Sequence, residues 1–394
     1  MISVPRRGIY FAYDPTWLAT GFNLVPLHMD FSTTPQAAAD TQLFDGLHGV
    51  FSDSLPDGWG LLLMDRFFQR EFGVARHAIG PLERLAYIGN RGMGVLEYLP
   101  MLDKTAPDEH LDLATLYEAS LDILSGGTDD VLNALRIAGG SPGGARPKAV
   151  IGLSADRRQA ISSFGEMPLD YEHWMVKFRS QEEARDTGAI ERAYALIAGR
   201  AGVEVPKSDL LEARTATGSE RFFAIKRFDR DQGRKRHMLT AAAILYADFR
   251  APSLDYGDLL RATWAITSDA AEVEKMARLM VFNALAHNRD DHAKNFAFLG
   301  DSTGWRMAPA YDLTFSSTGG RGNEHTTAFA GAGKPSIKAL KKVCQPFSFL
   351  KPELYIEQTL DAFAGWADVS KTLDLDKTHS AKVLVALNEV WKGL

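Results

Sequence analysis

The stretch that most constrains this chain is a helical stripe with a polar run fixed to its end. In "EVEKMARLMVFNALAH" (272–287), Val273, Met276, Ala277, Met280, Val281, Ala284 and Leu285 recur at i, i+3, i+4, i+7, the spacing of a helix with one buried face. That helix delivers "HNRDDHAKNF" (287–296), in which two adjacent acids have a histidine on each flank and an asparagine shortly after. Three readings compete: a metal-ligand cluster, the loop of a phosphotransferase, and a polar helix end without chemistry.

At 394 residues the chain has room for two or three domains with ample cores, taking roughly 100–200 residues for each. Its apolar and charged fractions, 45% and 24%, are those of an ordinary globular protein. The single cysteine, Cys344, excludes a disulfide framework and a cysteine-based zinc site, and fits a reducing cytoplasm. The start, "MISVPRRGIYFAYDP", has no apolar core of signal-peptide length, and no apolar run is long enough for a membrane span. A net charge of −6 argues against wide contact with nucleic acid, so any DNA would be met through a local basic patch or a partner.

Residues 8–30 read as short strands broken by Pro and Gly. "FSDSLPDGWGLLLMDRFFQREFG" reads as a helix capped by Asp57 or Ser54, with Trp59, Leu62, Leu63, Phe67 and Phe68 at helical spacing and Gly73 at its end. "GNRGMGVLEY" is taken as a turn feeding a strand, since a lone Gly-rich turn is weak support for a phosphate loop. A linker is placed at 98–110, then a helix closed by Gly126-Gly127, then a Gly-rich turn running into a strand. "YEHWMVKFRS" is a strand carrying Lys177, and "IERAYALIAGRAGVEVP" is a helix with Glu191 in its first turn. "RFFAIKRFDRDQGRKRH" is a strand and a basic turn, and from about Met238 the pattern is helical.

A strand-rich middle followed by a helical last third, with a Gly-rich turn first and an acid-rich loop later, is the layout of a protein kinase. Kinase catalytic loops place the base Asp five residues before a metal-binding Asn, and here Asp290 is five before Asn295 while Asp291 is four before it. Asp290 is therefore the candidate base. Asn295 offers a neutral oxygen to Mg²⁺, and Asp312 in "MAPAYDLTFS" is the second metal acid. The zinc or iron reading of His287, His292 and the acids fits neither a His-x-x-x-His pair nor a two-histidine, one-carboxylate set. In "GGSPGGARPKA" (139–149), backbone N–H groups can cradle phosphates, although no Walker A pattern is present. Lys177 is the next basic residue on a strand and the natural phosphate ligand, Glu191 its possible ion-pair partner, and the backbone near Lys226–Phe228 the place where a hinge would bond adenine. For each piece the bland alternative, a turn or a solvated charge, stays open, and it is their order that favours the kinase.

The stretches "SPGGARPKA", "MVKF", "KRFDR", "RDDHAKNF" and "PAYDL", with "FAYDPTWL" and "LPDGWG" nearer the start, resemble the HipA-type serine/threonine kinases, toxins of bacterial type II toxin–antitoxin pairs. The resemblance covers nearly the whole chain. It implies ATP and Mg²⁺, Asp290 as catalytic base, and Asn295 and Asp312 on metal. It implies nucleotide contacts from Gly143, Gly144, Ala145, Arg146, Pro147, Lys148, Lys177, Lys226, Arg227, Phe228, His292 and Asn295, and self-phosphorylation at Ser141. It implies a helix-turn-helix antitoxin of HipB type, operator DNA met mainly through that antitoxin, and a protein substrate such as an aminoacyl-tRNA synthetase. Asp291 stands where the family often has glycine, so its charge is expected to bear on metal or substrate. Lys226 stands where an acid is common. The chain also opens later than is usual before "FAYDP", which implies a trimmed small domain or one completed by another polypeptide.

The expectation is an α+β bilobal protein-kinase-like fold, with a small α/β N-terminal domain and a mainly helical C-terminal lobe. Residues 1–105 are the N-terminal subdomain, 106–230 the strand-rich part with the Gly-rich loop, and 231–394 the helical part with the catalytic and metal-binding loops. The alternatives are a catalytically weak DNA-bound co-repressor and a small-molecule kinase of related fold. The turn "RDQGRKR" (230–236), with seven Lys/Arg between Arg221 and Arg236, is either a solvated hairpin or a contact for nucleic-acid phosphates.

Overall fold

A computed structural model of the chain describes residues 1–4, 8–40, 42–102, 110–127, 135, 143–164, 167–231, 233–316 and 324–394. Two compact units, interleaved in sequence, make up the chain: Met1–Leu24, Met29–Gly188 and Lys207–Met238 in the first, and Val25–His28, Ala189–Pro206 and Leu239–Leu394 in the second.

The first unit opens with a three-stranded antiparallel sheet of Ile2–Val4, Gly8–Phe11 and Gln36–Ala37. The short strands expected over 8–30 are only partly present, because Pro15–Thr20 is a helix. The Asp14 carboxylate accepts from the Thr16 N–H at 2.8 Å, and Pro15 occupies the first helical position, where a missing N–H costs nothing. Gly58–Phe72 is the helix expected, closed by Gly73 in the left-handed region (φ 65°). A second helix is Leu113–Leu124.

Both helices pack on a five-stranded antiparallel sheet whose spatial order is Ala160–Ser162, Lys148–Ser154, Tyr171–Lys177, Gly218–Lys226, Ser208–Thr215. Strand alternation supplies the core: Ile151, Leu153, Trp174, Val176, Phe222 and Ala224 join Trp59, Leu63, Leu116, Tyr117 and Ile123 in one buried cluster. The other parity lines the opposite face. There Lys148 is paired in register with Lys177, and Lys177 with Phe223.

The second unit is mainly helical, with helices Tyr256–Thr267, Ala270–Leu285, Ile337–Cys344, Pro352–Ala364, Trp366–Thr372 and Lys377–Gly393. All seven stripe residues of Ala270–Leu285 are buried. Tyr194, on the helix Thr187–Arg200, meets Phe282, Phe363 and Trp366 edge-on and donates to the Ala286 carbonyl at 2.8 Å, which fixes the end of Ala270–Leu285 from which the polar run departs. Strands appear within the part read as mainly helical: Ala297–Asp301 and Gly304–Met307 form a hairpin, and Leu254–Asp255 pairs in parallel with Thr327–Ala328. Among the described residues no helix is long and apolar enough to cross a membrane.

Two histidines of the first unit, His237 buried and His173 half-buried, make stability acid-sensitive. Burial, with the Arg227 cation second, holds His173 at about 4, and burial holds His237 at about 4, its Nε2 lying 3.0 Å from the Leu24 carbonyl. The unfolded chain binds these protons near pH 6.5, before the folded one does, so stability is full above that value and falls as pH drops toward 4. For His237 the loss approaches about 3 kcal/mol. Urea unfolding at pH 7 and pH 4.5 should show this drop, and His237→Gln should make it smaller.

Candidate active site

In the first unit Lys148 and Lys177 share one face of the sheet, the turn 143–147 leads into the strand that Lys148 opens, and Lys226, in register with Trp174, falls on the other parity. Lys148 opens its strand, nearly buried, directly across from Lys177, so the two ammonium groups rise from cross-strand neighbours on one face. The Lys177 Nζ lies 5.6 Å from the Phe223 ring centroid. The Lys148 Nζ donates to the Gly143 carbonyl. Gly144 has φ +103°, a region that favours glycine. Its carbonyl accepts from the Trp59 N–H at 3.1 Å, and its N–H donates to the Asp57 carboxylate. Asp57 sits at the helix cap position expected of it yet makes no cap bond there: its acceptor is spent on the Gly-rich turn. One donor that a phosphate would use is thus held by a carboxylate. Arg146 pairs with Glu183 at 2.6 Å, and the Pro147 carbonyl accepts from the Phe178 N–H at 2.9 Å. Ser141 lies outside the described residues.

The segment Lys226–Phe228 follows the end of its strand. The N–H groups of Lys226 and Arg227 donate to the carbonyls of Lys207 and His173, at 2.8 and 2.9 Å. The Lys226 Nζ pairs with Glu172 at 2.6 Å. The Arg227 side chain is buried against Asp229, so it faces inward as a structural cation.

In the second unit the run after Ala270–Leu285 turns at His287, which has φ +55°. Burial, with the Arg289 cation second, lowers the His287 pKa. Its Nδ1 lies 2.8 Å from the Ser316 carbonyl and its ring stacks on Phe315, so it belongs to the fold. The two acids then part. Asp290 is exposed, whereas Asp291 is 1% exposed. The Asp291 Oδ1 accepts from the N–H groups of Thr326 and Thr327 at 2.8 and 3.1 Å. Its Oδ2 accepts from the Tyr256 hydroxyl at 2.7 Å and lies 2.9 Å from His325 Nδ1. Asn283 donates to the Tyr256 hydroxyl in turn, at 2.9 Å. The expectation that Asp291 would load its charge onto metal or substrate is corrected here: an acid with four polar neighbours turns inward.

The exposed side of the loop carries the oxygen donors. Asn295 Nδ2 donates to the Asp290 carbonyl at 2.7 Å, so the amide oxygen remains the acceptor of that side chain. The Tyr311 hydroxyl donates to the Lys294 carbonyl at 2.5 Å. That bond joins the residue before Asp312 to the residue before Asn295. Asp312 has φ +55°, strained for a residue with a side chain. Such a pair of hard oxygens suits Mg²⁺. Among the described residues no three His, Cys, Asp or Glu form a metal cluster. The His292 Nδ1 accepts from the Lys294 N–H at 3.2 Å, capping the short turn that carries Asn295. Glu191 is buried within the helix Thr187–Arg200.

The basic turn is largely neutralised. Carboxylates meet Lys226 (Glu172), Arg227 and Arg230 (Asp229), Lys235 (Glu97) and Arg236 (Asp231). Sequence spacing did not disclose the contacts of Asp57 with Gly144, Asp229 with Gly94, Lys226 with Glu172, Lys235 with Glu97, or His325 with Asp291, since each joins residues distant in the chain.

The antiparallel sheet with its Gly-rich turn and the helical unit with its Asp-x-x-x-x-Asn loop define a kinase-like α+β fold, as expected from the sequence. Residues 140–369 match the HipA-like C-terminal domain and residues 2–99 the HipA N-terminal domain, and the chain belongs to the HipA family. The HipA of Shewanella oneidensis MR-1, solved with HipB and operator DNA, aligns with a TM-score of 0.67 at 17% identity, over 97% of this chain and 90% of that one. "Putative kinase Y4dM" of Sinorhizobium fredii is 29% identical over 153 residues, and the match spans 36% of this chain and 36% of that relative's length. The Helicobacter pylori proinflammatory kinase CtkA aligns at a TM-score of 0.33 and 13% identity, over 54% of this chain and 92% of its own.

Asp291→Ala should lower stability on the order of 3 kcal/mol, because it strands a buried phenol, an imidazole and two amides. Asp291→Asn, which keeps an acceptor oxygen, should lose less. Urea unfolding measures both, and hydrogen exchange at Thr326 and Thr327 should quicken in the alanine variant first.

Proposed function

We propose that this chain is an ATP- and Mg²⁺-dependent serine/threonine protein kinase, the toxin of a type II toxin–antitoxin pair. The observation that carries this reading is the loop 290–295, in which the side chain of Asn295 is anchored to the backbone carbonyl of the exposed Asp290, and Tyr311, the residue before Asp312, bonds to the Lys294 carbonyl. In this reading Asp290 orients the acceptor hydroxyl and takes its proton. Asn295 and Asp312 hold the cation through oxygen. Mg²⁺ held there would supply positive charge to offset the charge that develops in phosphoryl transfer. Lys148 and Lys177 supply two positive charges, and the turn Gly143–Lys148 supplies backbone donors, to the phosphates.

The partner proposed is a helix-turn-helix antitoxin of HipB type, by likeness to the Shewanella assembly. DNA contact is assigned mainly to that antitoxin, in keeping with the net charge of −6 and the paired basic turn. An aminoacyl-tRNA synthetase as protein substrate and Ser141 as self-phosphorylation site rest on the family resemblance.

Incubation of the purified chain with Mg²⁺ and ATP should yield ADP and a product one phosphate heavier by intact mass, the phosphate mapping to Ser141. Asp290→Ala and Asp312→Ala should each lower the rate at least about a hundredfold with an unchanged melting temperature. A near-normal rate in Asp290→Ala removes the kinase assignment of this loop.

A further inference from the structure

The turn Gly89–Gly94, "GNRGMG", does not feed a strand, because its polar groups are taken elsewhere. The Gly94 N–H donates to the Asp229 carboxylate at 2.7 Å. The Gly92 carbonyl accepts from Arg227 at 3.4 Å and from Arg230 at 3.1 Å, and the Gly94 carbonyl accepts from Arg230 at 2.8 Å. Asp229 itself takes Arg227 through Nε at 2.9 Å and Nη2 at 2.7 Å, and Arg230 at 2.7 Å. Exposure is 0% for Asp229, 5% for Arg227 and 9% for Arg230.

Two cations share one anion here, so the cluster buries an excess positive charge. The two glycine carbonyls supply the acceptors that Asp229 alone cannot. Buried ion clusters are a poor source of stability compared with apolar packing, but they fix one geometry. The geometry fixed is that of the chain just past Lys226. The last sheet bond there runs from the Arg227 N–H to the His173 carbonyl, and beyond it Arg227, Asp229 and Arg230 are gripped by the turn. The turn is itself specified closely. Gly94 has φ +76°, and a Cβ there would lie 3.2 Å from the Met238 nitrogen, so only glycine brings its N–H and its carbonyl to the cluster without strain.

We propose that the turn Gly89–Gly94 is a positioning element for nucleotide, and that Asp229 is the positioning residue through which it fixes the backbone of Lys226–Phe228. The inference rests on the ATP-binding reading given above. It assigns part of the HipA N-terminal domain to the setting of nucleotide affinity.

The test uses the full chain. In Asp229→Asn the KM for ATP rises about tenfold while kcat falls no more than about threefold, and the Kd for a non-hydrolysable ATP analogue with Mg²⁺, read by calorimetry, rises by the same tenfold. A merely structural role would lower the active fraction, and so kcat, with KM unmoved. A second measurement needs no variant: in the wild type the analogue slows hydrogen exchange in the peptide covering 89–98 as well as in that covering 222–230. A folded Asp229→Asn protein that binds the analogue as tightly as wild type overturns the proposal. So does protection of 222–230 with 89–98 unchanged, which decides the matter if the variant does not fold. A wild type that binds no analogue overturns the ATP reading itself and this inference with it, and is told apart by that result.

Discussion

The buried carboxylate of Asp291 is the interaction on which the second unit's loops depend. It collects two backbone N–H groups, a phenol and an imidazole, and so ties the end of Ala270–Leu285 to the strand Thr327–Ala328. An unpaired buried carboxylate would be prohibitive, and a fully satisfied one tolerates few arrangements. With Asp291 turned inward, backbone alternation sends Asp290 to the exposed side. The adjacency of the two acids is a division of labour: one holds the loop, and the other faces outward with Asn295 and Asp312.

The first unit repeats the device with different parts. Asp229 is fully buried, and burial alone would raise its pKa. The charge and hydrogen bonds of Arg227, the Arg230 cation and the Gly94 N–H overcome that and hold it at about 2. Burial and the neighbouring Arg227 cation pull Arg230 down to about 10. Both shifts run downward, as they do in a cluster that is short of negative charge, which is why the glycine carbonyls matter. The same arithmetic disposes of most of the basic turn as a nucleic-acid surface, since charges already paired at short range have little attraction left for phosphate.

Much of this was legible in the residues, and the limits have physical causes. The helix Ala270–Leu285 followed from a 3.6-residue period that only one buried face satisfies, and the Asp290–Asn295 spacing survived into a loop where the two are bonded. The pairing of Lys148 with Lys177 was not legible, because strand register depends on the partner strand. The helix Pro15–Thr20 was missed because aromatic residues and Pro/Gly breaks dominate that stretch, while one Asp-Pro cap decides it locally.

What the sequence by itself determined is the family, the order of the elements, and which residue types stand at which spacing along each one. Local periodicity and motif spacing are properties of neighbours in the chain, so they can be read there. What only the tertiary structure decided is which of two identical neighbouring acids turns inward, and whether Asp57 caps its own helix or holds a glycine turn at Gly144. It also decided whether "GNRGMG" feeds a strand or grips Asp229 across 135 residues. Each of these is a choice of hydrogen-bond partner, and a buried polar group takes its partner from whatever the fold brings within about 3 Å, however far away in sequence.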